Sequence, residues 1–209
     1  MITMIKKDIT SLIIIGITII LSAIAYPFLP ETLAIQFGPD NNPTNAAPKI
    51  IGLAIAPVVM IFLLFTRKDT KKFVHGANLL EAKIIYYIAQ FVLLGGQIAT
   101  ILYGLNYRFN IYLIGHIMIG VIFIIVGNYL YRARKSYGYG IKTRWTLSNE
   151  TVWNKTHKFS SFIFILAGMI VILINLIGNL TTWTFGVLIG SVVICYAASF
   201  IFYQKYSDD

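Results

Sequence analysis

The chain has 209 residues, of which 57% are hydrophobic and only 12% charged, and its mean hydropathy is +0.76. A water-soluble domain carries about 45–50% apolar and about 25% charged residues, so the composition excludes an ordinary soluble enzyme or binding module and indicates a multi-spanning membrane protein. The net charge of +9 does not mark a nucleic-acid binder: the cations stand in clusters between apolar runs, which is where translocation leaves them. No direct nucleic-acid partner is expected. The lone Cys195 lies inside an apolar run and offers neither a disulfide nor a cysteine metal site within one chain.

Lys6 and Lys7 precede a first apolar run, Ile9 to Tyr26, long enough to span a membrane. Ala23-Ile24-Ala25 mimics a signal-peptidase site, but the run is long for a signal, and a span is expected. Pro27 and Pro30 stop that helix. Residues 29–49, with Glu31, Gln36, Asp40, three asparagines and prolines at 39, 43 and 48, read as a polar loop of turns. The second span covers Ile50 to Phe65 with Pro57 in its middle, a position tolerated in membranes where a neighbouring helix satisfies the freed carbonyl. A basic connection follows, with Arg67, Lys68, Lys71, Lys72 and Lys83, and is expected to hold a short surface helix. The third span runs from Ile84 to Leu105 and the fourth from Ile111 to Tyr131, joined by a tight N-Y-R-F-N turn at 106–110. After a polar stretch come the fifth span, Ser160 to Ile177, a G-N-L-T-T turn, and the sixth, Trp183 to Tyr203.

With the N-terminus inside, fifteen of the seventeen Lys and Arg fall on inner segments, and only Lys49 and Arg108 lie outside. The positive-inside rule then predicts six spans with both termini cytoplasmic. Since backbone groups in lipid must bond internally, the fold class expected is all-α, a polytopic helical bundle with almost no strand. The chain divides into a two-span module, 1–66, carrying the outer loop 29–49, and a four-span module, 67–209, carrying the inner loop 132–158.

Polar and small residues inside the spans show helical spacing. His116, Gly120, Phe123 and Gly127 share one face of the fourth span, and Gln90 and Gln97 share one face of the third. Gln97 and His116 are expected at comparable depth and within bonding reach of one another. Two readings stand: a polar site or path for a ligand or proton at Gln90, Gln97 and His116, as in a small transporter or channel, or interhelical hydrogen bonds of about 1 kcal/mol that fix packing. Asn128 and Asn175 carry the same pair of readings. Gly186-x-x-x-Gly190 in the last span permits close approach of another helix, including that of a homo-oligomer. No paired carboxylates or His/Cys cluster lies in a span, so neither metal nor cofactor is expected. Gly138 and Gly140 in Y-G-Y-G lack the rest of a nucleotide loop and read as a flexible joint.

The stretch Tyr139 to Phe159, Y-G-I-K-T-R-W-T-L-S-N-E-T-V-W-N-K-T-H-K-F, concentrates more polar chemistry than any other part of the chain. Ser148 reads as an N-cap with Glu150 in the first turn, suited to the helix dipole. A helix starting there sets Glu150, Trp153 and His157 on one face, and Thr151, Lys155 and Lys158 on another, where the amines reach lipid phosphates. An interfacial anchor in the bilayer and a functional site are both compatible with this pattern. Glu150 and His157 are also spaced for an acid/base pair, but no nucleophile, metal set or cofactor motif accompanies them, and no catalytic residue is expected.

This stretch resembles the cytoplasmic motif of the SdpI-type immunity proteins, approximately R-T-P-W-T-L, a short acidic spacer, then W-x-x-x-H. Thr143, Trp145, Thr146, Leu147, Glu150, Trp153 and His157 match. Lys142 stands for the usual arginine, keeping charge but losing a bidentate fork, and Arg144 stands for the usual proline, freeing the backbone before the tryptophan. L-P-E-T-L-A-I-Q-F at Leu29 to Phe37, with Pro30, Glu31, Gln36, Phe37, Asp40, Lys49 and P-V-V-M at Pro57 to Met60, is similar to the family's N-terminal module and outer loop. The resemblance implies a bacterial plasma-membrane protein, without enzymatic activity, that protects its producer from a secreted, membrane-active peptide toxin. It also implies a receptor role, holding a cytoplasmic transcriptional repressor at the membrane. The outer loop would then meet toxin, and the inner motif would support structure or signalling.

Overall fold

The computed structural model describes residues 9–73, 79–135, 140–178 and 180–206. Its elements are helix α1 (Ile9–Ala25), a 3-10 turn (Tyr26–Phe28), strands β1 (Thr32–Phe37) and β2 (Pro43–Pro48), and helices α2 (Lys49–Phe73), α3 (Leu79–Gly104), α4 (Ile111–Leu130), α5 (Arg144–Ser148), α6 (Glu150–Ile177) and α7 (Thr181–Tyr206). Among the described residues, five segments are long and apolar enough to cross a membrane, in α1, α3, α4, α6 and α7, and Lys49–Phe65 in α2 is a shorter apolar stretch. The chain is therefore a mostly helical, multi-pass membrane protein. The basic connection forms no separate surface helix: α2 continues through it to Phe73 and α3 begins at Leu79, while residues 74–78 lie outside those described.

The packing divides into two compact units, Met1–Asp69 with Tyr86–Tyr112, and Thr70–Ile85 with Leu113–Asp209. In the first, the polar loop expected at 29–49 is instead an antiparallel hairpin, β1 against β2, so the fold is not purely α. The turn signals of 38–42 are real, with Asn41 at φ 60°, but T-L-A-I-Q-F on one side has the alternation and β-branched content of a strand. Leu33 is the plug that fixes this hairpin. It is 1% exposed and clusters with Ala25, Leu29, Leu53 and Ile101. A Cβ at Gly104 of α3 would collide with the ends of Leu29 and Leu33, and one at Gly52 of α2 would crowd Leu33, so the two glycines form the notch that receives it.

Deeper in this unit, Pro57 cannot donate to the carbonyl of Leu53, four residues earlier. The amide nitrogen of Gln97 in α3 fills the gap, donating to Leu53 O at 3.2 Å and to Ser22 Oγ of α1 at 2.8 Å. One buried side chain thus ties three helices together at the point where the α2 ladder is interrupted. This is why the proline is tolerated.

In the second unit, α4 and α6 pack through glycine. A Cβ on Gly120 or Gly127 would strike the α6 backbone at Gly168 or Ser161, and one on Gly168 would strike Gly120. Phe123 stacks on Phe164 beside them, ring centroids 5.0 Å apart. His116, Gly120 and Gly127 are buried together, the face read from their spacing. Gly186 and Gly190 of α7 meet nothing within 4 Å. Asn175 closes the α6 end by donating to Val171 O and to Thr184 Oγ1 at 2.7 Å; Asn128 is exposed.

Replacing Gln97 by Leu should cost about 1–2 kcal/mol in unfolding of the purified protein in micelles. In a Pro57→Ala background, where residue 57 regains its N–H for Leu53 O, the same replacement should cost measurably less. Equal costs in both backgrounds would refute the proposed role of Gln97.

Candidate functional site

Two regions assemble the residues singled out by sequence. The first is the hairpin end of the first unit. Glu31 and Lys49 close its base with an ion pair of 3.0 Å, and the Lys49 ammonium also lies 4.6 Å from the Tyr26 ring. With Glu31 largely exposed, the pair fixes the geometry more than it adds stability. Phe37 meets Tyr103 edge-on, centroids 4.7 Å apart, and Arg108 covers the same tyrosine at 4.5 Å. At the tip, Asn41 donates to Phe109 O at 3.0 Å and accepts from Tyr112 N at 3.3 Å, binding the hairpin to the 106–110 turn. Asn42 bonds Asp40 through its side chain at 2.6 Å and its backbone N–H at 3.2 Å, holding that carboxyl below its usual range.

What this leaves on the surface is a fixed polar rim: Pro30, Glu31, Gln36, Asp40 and Asn42 are exposed. Neither edge invites strand pairing. The register of β1 is broken around Ile35, and β2 begins and ends in proline. Beneath the hairpin, α1 and α2 enclose an open apolar groove of about 430 Å³ lined in part by Ala23, Tyr26, Ile50 and Ala54.

The second region is the motif of the second unit. Thr143, extended at φ −115°, caps α5: its hydroxyl accepts from Thr146 N, and the Thr146 hydroxyl accepts from Thr143 N at 2.9 Å. This reciprocal box fixes the turn that the absent proline would have stiffened. Asn149, also extended, ends α5 and caps α6 through Val152 N. The expected cap at Ser148 is thus corrected by one residue. Ser148 is the last residue of α5 and bonds back to Trp145 O. Asn149 also donates to Tyr206 O at the end of α7.

Trp153 and His157, each fully buried, stack with centroids 3.9 Å apart. Trp153 Nε1 donates to Ala133 O at 2.8 Å, and His157 Nε2 accepts from Ile141 N at 2.9 Å. With Nδ1 2.8 Å from Trp153 O, the ring must be the neutral tautomer protonated at Nδ1. Thr146, fully buried, donates its hydroxyl to Ile141 O at 2.8 Å, so both polar groups of Ile141 are held by motif side chains. Trp145 points elsewhere, donating to Ser199 Oγ at 3.0 Å and packing against Tyr196, Phe200 and Tyr203 of α7. Leu147 is half-buried. Lys142, Arg144 and Glu150 are exposed, so Glu150 does not join His157 despite sharing its helical spacing.

A histidine bonded at both nitrogens offers no lone pair to a substrate or metal, and among the described residues no group of three or more His, Cys, Asp or Glu could hold an ion. The arrangement is a clasp. Sequence reasoning missed what it clasps, the backbone of Ala133 and Ile141, with Gly140 packed close beside the stacked rings. The one signal was Gly140, whose φ of 115° disfavours any side chain; Gly138 lies outside the described residues.

Of the intramembrane polar residues, Gln97 donates its amide nitrogen to Ser22 Oγ and Leu53 O. Gln90, fully buried, donates to Tyr86 Oη at 2.7 Å, and its Oε1 meets no donor among the described residues. His116 is buried in α4.

Gly140→Ala should lower stability by roughly 1–3 kcal/mol, because it strains φ and drives Cβ into His157 Nε2. In a His157→Ala background the added cost should shrink, and strictly additive losses in thermal unfolding would contradict the clasp.

Comparison with known proteins matches residues 132–203 to the SdpI/YfhL protein family and residues 13–61 to a domain of unknown function (DUF1648). The chain is 33% identical to Immunity protein SdpI of Bacillus subtilis (strain 168) over 211 aligned positions, covering 96% of this chain and 97% of that protein. It is 34% identical over 61 residues to the uncharacterized membrane protein YbgB of the same organism, covering 29% of this chain and 67% of that protein. No solved structure matches. With this likeness running nearly end to end, and with the clasp lying inside the matched segment 132–203, the chain belongs to the SdpI family of membrane proteins.

Proposed function

We propose that the protein is a plasma-membrane immunity protein, without enzymatic activity, that protects a bacterial cell from a secreted, membrane-active peptide toxin. The observation that carries this reading is the near full-length identity to Immunity protein SdpI. In the proposed topology all six apolar helices cross the bilayer with both termini in the cytoplasm, so the hairpin faces outward and the motif inward. The charge distribution supports that orientation.

The hairpin and the groove beneath it suit the two halves of such a ligand. Glu31, Gln36, Asp40 and Asn42 offer hydrogen bonds to a peptide at the membrane surface, and the α1/α2 groove accepts an apolar segment in the outer leaflet. Because Leu33, Asn41 and the Glu31–Lys49 pair already hold the hairpin, little ordering cost opposes binding. The motif clasp supports the inner surface, where a cytoplasmic repressor would be held. A transporter path past Gln90, Gln97 and His116 is the alternative reading; along it the Gln97 amide nitrogen donates to Ser22 and Leu53.

Expression of the intact chain in toxin-sensitive cells should restore survival. At equal membrane abundance, Glu31→Ala/Gln36→Ala/Asp40→Ala and Ala54→Phe, which fills the groove, should each reduce protection about tenfold or more, the loss of roughly 1.4 kcal/mol of binding. No protection by the intact chain would overturn the immunity reading, whereas full protection by both variants would move toxin contact away from the hairpin end.

A further inference from the structure

The motif end of the second unit carries a charge imbalance that the clasp does not use. Beyond residue 130, the described residues include Arg132, Arg134, Lys135, Lys142, Arg144, Lys155, Lys158 and Lys205 against the single carboxylate Glu150. Most of these cations are spread over the surface. Two are not. Lys155, in the second turn of α6, and Lys205, in the last turn of α7, converge on one ring, their ammonium groups 5.2 and 5.5 Å from the Tyr206 centroid.

These distances lie within the reach of cation–π attraction, yet two cations drawn to one ring repel each other. Among the described residues no carboxylate pairs with either of them. Nor does the end of α7 account for them fully, because Tyr206 O already accepts from Asn149 Nδ2. Both lysines are exposed, so their charge is open to a ligand. Helix packing brings Lys155 to Tyr206: α6 and α7 are neighbours, and the Asn149 bond fixes the start of one to the end of the other, beside Lys205. Tyr206 also closes a candidate membrane span, so the pair sits at the depth of lipid headgroups, where tyrosine and lysine are enriched.

We propose that Lys155 and Lys205, presented by Tyr206, form a site for the phosphate of an anionic phospholipid in the leaflet that contacts the motif. The phosphate lies between the two ammonium groups, and the acyl chains run along α6 and α7. This role is independent of toxin binding and rests on the packing of the second unit alone. It gives the motif a lipid contact through Asn149, whose two bonds join the α6 cap to Tyr206.

The test uses the full-length protein in phosphatidylcholine nanodiscs with increasing phosphatidylglycerol, reading retained lipid by native mass spectrometry and the melting temperature. Wild type should retain phosphatidylglycerol and melt higher as it is added. Lys155→Gln/Lys205→Gln should weaken the apparent affinity roughly tenfold or more, in line with attractions of this kind, while Lys155→Arg/Lys205→Arg should keep it. Arg134→Gln/Lys135→Gln removes the same charge elsewhere and should leave retention nearly unchanged. Equal weakening in both glutamine variants would show diffuse surface attraction and overturn the site, as would an unaltered titration in Lys155→Gln/Lys205→Gln. A melting shift reproduced by inorganic phosphate in phosphatidylcholine alone would assign the site to a soluble anion and overturn the lipid.

Discussion

Backbone groups that lose their helical partners govern this structure, because in or beside an apolar medium each unpaired N–H or C=O is costly. The most conspicuous polar side chains supply the missing partners. Gln97 takes the Leu53 carbonyl released by Pro57, Trp153 takes Ala133 O where α4 has ended, and His157 and Thr146 take the N–H and C=O of Ile141. Asn149 takes Tyr206 O at the end of α7, and Asn41 bonds Phe109 O and Tyr112 N across the turn between α3 and α4. Read one at a time, several of these residues look like ligands or catalysts. Together they are the means by which irregular backbone is tolerated next to lipid.

The same constraint explains the use of small residues. Helices in lipid gain little from burying one more apolar side chain against another, so close backbone approach matters more. Gly120, Gly127 and Gly168 bring α4 and α6 together at backbone distance, and Gly52 and Gly104 make room for Leu33. At Gly186 and Gly190, spaced for close helix approach, an added Cβ would meet nothing within 4 Å among the described residues. A motif of small residues therefore marks the capacity for an interface and not its presence.

The two units are built differently. In the hairpin of the first unit, bonds run inward to hold a turn and leave hydrogen-bonding side chains exposed. In the motif of the second unit, Trp153 and His157 are wholly buried while Lys142, Arg144, Lys155 and Lys158 are exposed, so the motif is a frame with charge around it. The near full-length similarity to an immunity protein assigns the family.

Much of this was legible in the chain. Apolar runs of span length, charge clusters between them and the buried face of α4 follow from composition and spacing, which depend only on local periodicity and on the cost of placing charge in lipid; the motif was legible through its resemblance to the SdpI family. Pro57 even announced that a neighbouring helix must supply a donor. The identity of that donor was not legible, because Gln97 lies forty residues away and its spacing on α3 names no partner in α2. Strands in 29–49 were obscured by prolines and asparagines whose turn preference is real but confined to the tip. Glu150 and His157 share a helical face by count, yet one is exposed and the other buried. The sequence by itself determined a multi-pass helical membrane protein and the residues of its motif. Only the tertiary structure decided that this motif clasps backbone, because hydrogen-bond partners far apart in the chain are chosen by packing and not by spacing.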